Sequence, residues 1–141
     1  MKKKTETFIA FIVVVGLTVS CEKRVTTVTD LSSAMKRNGI HYHTTALVDL
    51  SAFRYAQIDE ALALTGDNLR VELFRINNEK TYKLFFSSCL LLAAAEAKAQ
   101  QRLPGSPDIY SKRPFIIIVR EEPRKGEVKK TLDKIFSEEK N

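Results

Sequence analysis

The hydrophobic pattern changes period several times along the chain. Leu31, Ala34 and Met35 recur at helical spacing behind Asp30, which is placed to N-cap a short helix, and Gly39 stands where a left-handed C′ residue ends one. From Ile40 to Val48 the period is two. Ile40, Tyr42, Thr44, Ala46 and Val48 face one way, and His41, His43, Thr45 and Leu47 the other, as in a half-buried strand. Ala61 to Leu64 reads either as a strand or as a short helix capped by Asp59, and the intervening 49–63 carries no clear period. Gly66-Asp67-Asn68 signals a hairpin turn into an alternating strand over Leu69–Ile76, with Leu69, Val71 and Leu73 opposite Arg70, Glu72 and Phe74. Helical period returns after Asn77-Asn78 and runs to about Gln101. Tyr82, Phe85, Phe86, Cys89, Leu92 and Ala93 form its stripe, and the run Leu84–Ala95 is apolar on more than one side, which marks a central packing helix. A loop over Leu103–Pro114 holds three prolines and a glycine. Phe115–Val119 is then continuously apolar, the mark of a central strand buried on both faces. A last helix, from Glu127 to about Glu138, carries Val128, Leu132, Ile135 and Phe136 inward.

This order predicts an α+β fold: a small, mostly antiparallel sheet of three to four strands packed against two to three helices, with the helices on one face. Residues 30–141 form a single domain. With 44% hydrophobic and 28% charged residues the chain is globular rather than disordered. The 121 residues from Cys21 onward can bury roughly 65% of their unfolded surface, enough to fold without disulfide or metal.

The first residues form a separate unit. Lys2, Lys3 and Lys4 precede a twelve-residue uncharged run, Phe8–Val19, which ends at Ser20 and Cys21. A basic start, a short apolar core and a small residue at its end make a secretory signal peptide over 1–20. Twelve residues span about 18 Å as a helix, against roughly 30 Å of hydrocarbon. The stretch Leu17-Thr18-Val19-Ser20-Cys21 resembles the lipobox of bacterial lipoproteins. Val19 and Ser20 fill the two positions before the Cys, and Thr18 stands where that family prefers Leu. The resemblance covers about the first 22 residues. It implies that Cys21 is thioether-linked to diacylglycerol, that residues 1–20 are removed, and that the new amino terminus is acylated. Ordinary signal cleavage and an uncleaved anchor are the alternatives. Two or more acyl chains bind a membrane stably. Residues 21–29 would then be the lipidated Cys and a tether, whose eight residues from Glu22 to Thr29 reach at most roughly 28 Å. Lys23 and Arg24 add about 1 kcal/mol each at an anionic surface. Glu22, where enteric lipoproteins retained at the inner membrane carry Asp, points by the same resemblance to an outer membrane facing the periplasm in a diderm cell.

Charge adds little. The net formal charge is +6, but beyond residue 20 there are 20 basic and 16 acidic side chains. The basic run Arg124, Lys125, Lys129, Lys130, Lys134 lacks interleaved aromatics and is balanced by Glu121, Glu122 and Glu127, so nucleic acid is not an expected partner.

Candidate chemistry is sparse. His41 and His43 share a strand face, but two ligands make a poor metal site; a third, Cys89 or a carboxylate, would have to be brought in by the fold, and no HExxH or CxxC pairing occurs, so no metal is expected. Cys89 lies on an apolar helix face, a setting for a structural thiol rather than a thiolate nucleophile. Glu121-Glu122 and Asp59-Glu60 are adjacent pairs whose side chains point apart. No nucleophile elbow, phosphate-binding loop or dinucleotide fingerprint occurs, and neither catalytic residues nor a cofactor is expected. The Leu103–Pro114 loop offers Tyr110, Lys112 and Arg113 as contact residues for a partner, although Tyr110 would equally cover a sheet edge. The expected function is that of a lipid-anchored cell-envelope domain that binds or scaffolds. An exposed apolar patch would favour an accessory subunit of a larger envelope complex. A deep pocket around His41 or His43 would favour an enzyme.

Overall fold

The computed structural model describes residues 24–54, 56–99 and 107–139. The predicted signal peptide, Cys21, the predicted helix end at Gln101 and the loop start at 103–106 lie outside the described residues. Among the described residues no helix is long and apolar enough to cross a membrane.

The fold is α+β, as the pattern predicts. Helix α1 is Val28–Arg37, α2 is Glu79–Ala99 and α3 is Glu127–Glu138. The strands are β1 (Thr44–Ala46), β2 (Glu60–Gly66), β3 (Leu69–Arg75), β4 (Asp108–Lys112) and β5 (Phe115–Glu121). They form one antiparallel sheet in the order β1-β2-β3-β5-β4. Among the described residues there are therefore five strands rather than three or four, because Asp108–Lys112, expected as loop, pairs with β5 at the sheet edge.

β3 and β5 organise the rest. Val71, Leu73, Phe74, Ile116 and Ile117 have no solvent exposure. Leu69, Val71, Leu73, Phe115, Ile117 and Val119 pack with Leu31, Met35, Val128, Leu132 and Phe136 of α1 and α3. Phe74, Ile116 and Ile118 pack on the opposite face with Tyr82, Phe85 and Cys89 of α2, joined by Leu50, Phe53 and Ile58 from the segment before β2. Helices thus cover both faces, not one. A continuously apolar strand such as β5 needs cover on both sides, and one helical layer would leave half of it wet.

Local signals explain the boundaries. Thr27, not Asp30, is the N-cap of α1: its hydroxyl accepts from the Asp30 amide at 3.0 Å, and the Asp30 carboxylate reaches back to the Thr26 hydroxyl at 3.1 Å. Asp30 is thus the third residue of the helix, and its carboxylate ties down Thr26, the residue before the cap. The C-terminus closes as a Schellman motif. The Ile40 amide donates to Met35 O (3.0 Å), the Gly39 amide donates to Lys36 O (3.2 Å), and Gly39 takes φ +97°. Ile40 is therefore a buried helix-capping residue rather than the start of a long strand. β1 shrinks to three exposed residues, a short edge of the kind that resists further pairing. The ambiguous 61–64 segment is strand β2, and Asn68 turns the hairpin in the left-handed region at φ 53°.

α2 departs most from expectation. Tyr82, Phe85 and Cys89 are buried, but Leu92, assigned to the inward stripe, is 52% exposed. Leu84, Leu90 and Leu91 are exposed as well. The helix therefore lies on the sheet by one narrow face and is not a central packing element. Beneath its second half the floor turns polar. Arg120 of β5 donates to Glu72 of β3 at 3.1 Å and lies 3.6 Å from Glu96 of α2. Burial works against the guanidinium charge, but bonding to Glu72 and the nearby charges of Glu72 and Glu96 more than offset it and raise its pKa.

This packing ranks three substitutions. Phe85→Ala is expected to cost about 3–5 kcal/mol through a cavity. Cys89→Ser is expected to cost about 1–2 kcal/mol, and Leu92→Ala under about 1 kcal/mol. Urea melts measure all three, and a Leu92→Ala loss equal to that of Phe85→Ala would contradict the packing described.

Candidate functional site

Three surface features gather the residues singled out in the sequence. The first lies where the described chain enters the domain. The Val25 amide donates to Glu139 Oε1 at 2.8 Å, and the Val25 side chain packs against the α1/α3 cluster. One turn on, the Val28 amide donates to Glu60 Oε2 at 2.9 Å, and the other oxygen of Glu60 accepts from Arg75 Nη1 at 2.7 Å. A carboxylate at the amino end of α1 complements the helix dipole and ties that helix to β2 and β3. The chain is therefore fixed from Val25, not from Thr29.

A cleft of about 390 Å³ opens at this point, lined by Arg24, Arg75, Lys112, Arg113, Phe136 and Glu139 among others. Two of the three predicted contact residues, Lys112 and Arg113, belong to it. Arg113 Nη1 lies 3.4 Å from Glu79 Oε2, whose other oxygen meets Lys83 Nζ at 2.8 Å. The Lys83 hydrogen bond and the charges of Lys83 and Arg113 hold the Glu79 carboxyl below its usual pKa. Arginines and a lysine around an apolar floor can receive an anionic group such as a phosphate or carboxylate.

Tyr110 is placed differently. Its ring stacks on Phe136 with centroids 6.2 Å apart, and its hydroxyl donates to Asp133 Oδ1 at 2.8 Å. It clamps the edge strand β4 to α3, which matches the sheet-covering alternative, and it stands two residues from Lys112 on the same strand face.

The second feature is a cleft of about 340 Å³ at the other end of the sheet, where His41, His43, Asp67 and Glu127 meet. His43 Nε2 lies 3.3 Å from Asp67 Oδ1, with both side chains largely in solvent. Among the described residues no group of three or more His, Cys, Asp or Glu side chains is gathered to hold a metal. Cys89 packs in the cluster beneath α2. Burial, with the negative charge of Glu72 beside it, pushes its thiol up to about 11, so it stays protonated at neutral pH and is a poor nucleophile.

The third feature is the outer side of α2. From Leu84 to Ala95 it carries no charged residue, and Leu84, Leu91 and Leu92 stand 52%, 72% and 52% exposed. The sequence displayed this run but not the side that would remain bare. No family model, curated protein or solved structure matches the chain.

The Tyr110–Asp133 bond yields a pH signature. Burial first, then the Asp133 carboxylate, raise the phenol from 10.0 to about 12. The fold favours the protonated phenol, so this stabilisation is complete below pH 10 and is lost as pH rises through 12. Tyr110→Phe is expected to cost about 1 kcal/mol at neutral pH and to flatten the alkaline decline. Urea midpoints across that range compare the two proteins, and an identical decline in the variant would refute the clamp.

Proposed function

We propose that this protein is a lipid-anchored component of the cell envelope, held on the membrane through Cys21, whose folded domain binds or scaffolds rather than catalyses. The signal-like start and the lipobox-like Thr18-Val19-Ser20-Cys21 support the anchor. The observation that carries the reading is the short tether. With the chain fixed at Val25, the cleft bearing Lys112 and Arg113 stands about three residues from the lipidation position. At most roughly 14 Å of extended chain separates Cys21 from Val25, a distance comparable to the Debye length of about 8–10 Å, so cationic side chains at the cleft act on an anionic surface. Lys112 and Arg113 are the contact residues of this reading, and Tyr110 holds their strand in place. In a diderm cell the domain faces the periplasm from the outer membrane.

The exposed leucines of α2 favour a second reading, in which the protein is a subunit of a larger envelope assembly. A solvent-facing helix side of this kind is a recurrent mark of an interface.

Fractionation and mass analysis of the mature amino terminus test the anchor. Cys21→Ala is expected to release the protein from membranes or leave its signal uncleaved. Recovery of the parent chain from membranes with an unmodified Cys21 would reject it. Lys112→Ala with Arg113→Ala is expected to weaken binding to vesicles containing anionic lipid while changing stability by under about 1 kcal/mol, as surface substitutions usually do.

A further inference from the structure

One outer flank of α2 has an internal order. Thr81, Leu84, Ser88, Leu91 and Ala95 follow one another at spacings of three and four, the repeat of a helix-pairing seam. Along it leucine alternates with a small residue. The seam is centred about 110° round the helix from Tyr82, Phe85 and Cys89, which hold α2 to the sheet, with Leu92 between the two; Leu84, Leu91 and Ala95 are exposed along it and Thr81 and Ser88 half-buried. We propose that this seam is the contact surface for a second copy of the same chain, paired antiparallel through α2. This names the partner in the assembly reading above.

The occupant is argued from self-complementarity. In an antiparallel pair centred between residues 89 and 90, Leu84 of one copy faces Ala95 of the other, and Leu91 faces Ser88. Every layer then sets a large side chain against a small one, and the two-fold axis repeats each layer, as an isologous interface requires. No charged side chain lies between Lys83 and Glu96, so no like charges are brought together along that stretch. Ser88, the polar residue at the centre, donates its hydroxyl to Leu84 O within the helix at 2.9 Å. Burying it leaves no hydroxyl without a partner.

A lipid surface suits the seam less well. Helices that lie in a bilayer interface carry Lys and Arg along the polar side, whereas the inward side of α2 is occupied by the sheet. The chain also enters on the α1/α3 face, through Val25, opposite α2. The twelve uncharged residues span only about 18 Å, a small contact beside the roughly 800 Å² per partner of a standard interface. Such a pair forms where copies are concentrated, as on a shared membrane.

The test is cysteine cross-linking of the full chain in its own membranes, with a short thiol-reactive linker and the parent chain as background. In the proposed register the two copies of residue 88 lie roughly 5 Å apart along the axis and those of residue 84 roughly 16 Å apart. Ser88→Cys is expected to give a product of twice the chain mass, and Leu84→Cys none. Leu84→Cys co-expressed with Ala95→Cys is expected to restore the product. Leu91→Asp added to Ser88→Cys is expected to abolish it, with an unchanged melting temperature showing that the domain still folds. Absence of the Ser88→Cys product from correctly folded protein, a product of another mass, or self-linking through Leu84→Cys would each overturn the proposal. Repeating Ser88→Cys on a Cys21→Ala chain, extracted and concentrated, separates the two readings. Linking there supports the pairing whatever holds the protein to the membrane. Membrane retention without linking in the Cys21 chain rejects the pairing alone.

Discussion

Burial of β3 and β5 on both faces is the constraint from which the rest of the molecule follows. Ile117 and Leu73 look toward α1 and α3, while Ile116 and Phe74 look toward α2, and none of the four is exposed. Side chains alternate across a strand, so neither layer of helices can be removed without wetting half of each strand. Each fully buried aliphatic or aromatic side chain contributes about 1.5–3 kcal/mol relative to an exposed one. The two strands also pair with each other, joining the hairpin β2–β3 to the hairpin β4–β5. The connections, the edge strands and the chain entry are arranged around that pair.

The two layers are unequal, and the inequality bears on function. α1 and α3 share an extensive apolar cluster and are capped into it, α1 by Thr27 and Glu60 and α3 by Glu122. α2 meets the sheet through three buried side chains, and its second half lies above Glu72 and Arg120. A half-buried ion network orients a helix but supplies little net stability. The α1/α3 layer is thus also the side on which the chain enters, while the α2 layer leaves leucines facing outward.

Much of this was legible in the residues. Gly39 marked the end of α1 because a left-handed C′ position favours glycine. The run Phe115–Val119 announced a strand covered twice, and the alternation of Leu69, Val71 and Leu73 with Glu72 and Phe74 gave the faces of β3. The failures have physical causes. Asp30 and Thr27 are both good N-caps, and only the fold decides which hydroxyl or carboxylate meets which amide. Asp108–Lys112 offers Ile109 and Tyr110 as its apolar residues and lies between Pro107 and Pro114, so its pairing comes from β5 rather than from its own pattern. Leu92 was misplaced because Leu84–Ala95 is apolar on several sides, and periodicity cannot tell which side a sheet will take. The cleft around Lys112 and Arg113 was half legible. Lys112 and Arg113 were named from a loop rich in proline, but Arg24 and Arg75 are distant in sequence and join them only when Val25 is tied to Glu139 and Arg75 to Glu60.

The dependence of the fold on its two central strands is tested most directly by native-state hydrogen exchange read residue by residue. The slowest amides should be those of Val71–Phe74 and Ile116–Val119, opening only with the whole domain, while amides of β1 and of the second half of α2 exchange through smaller openings. Slowest exchange in the second half of α2 of the monomer, with β3 and β5 opening before it, would contradict the central place given to the two strands.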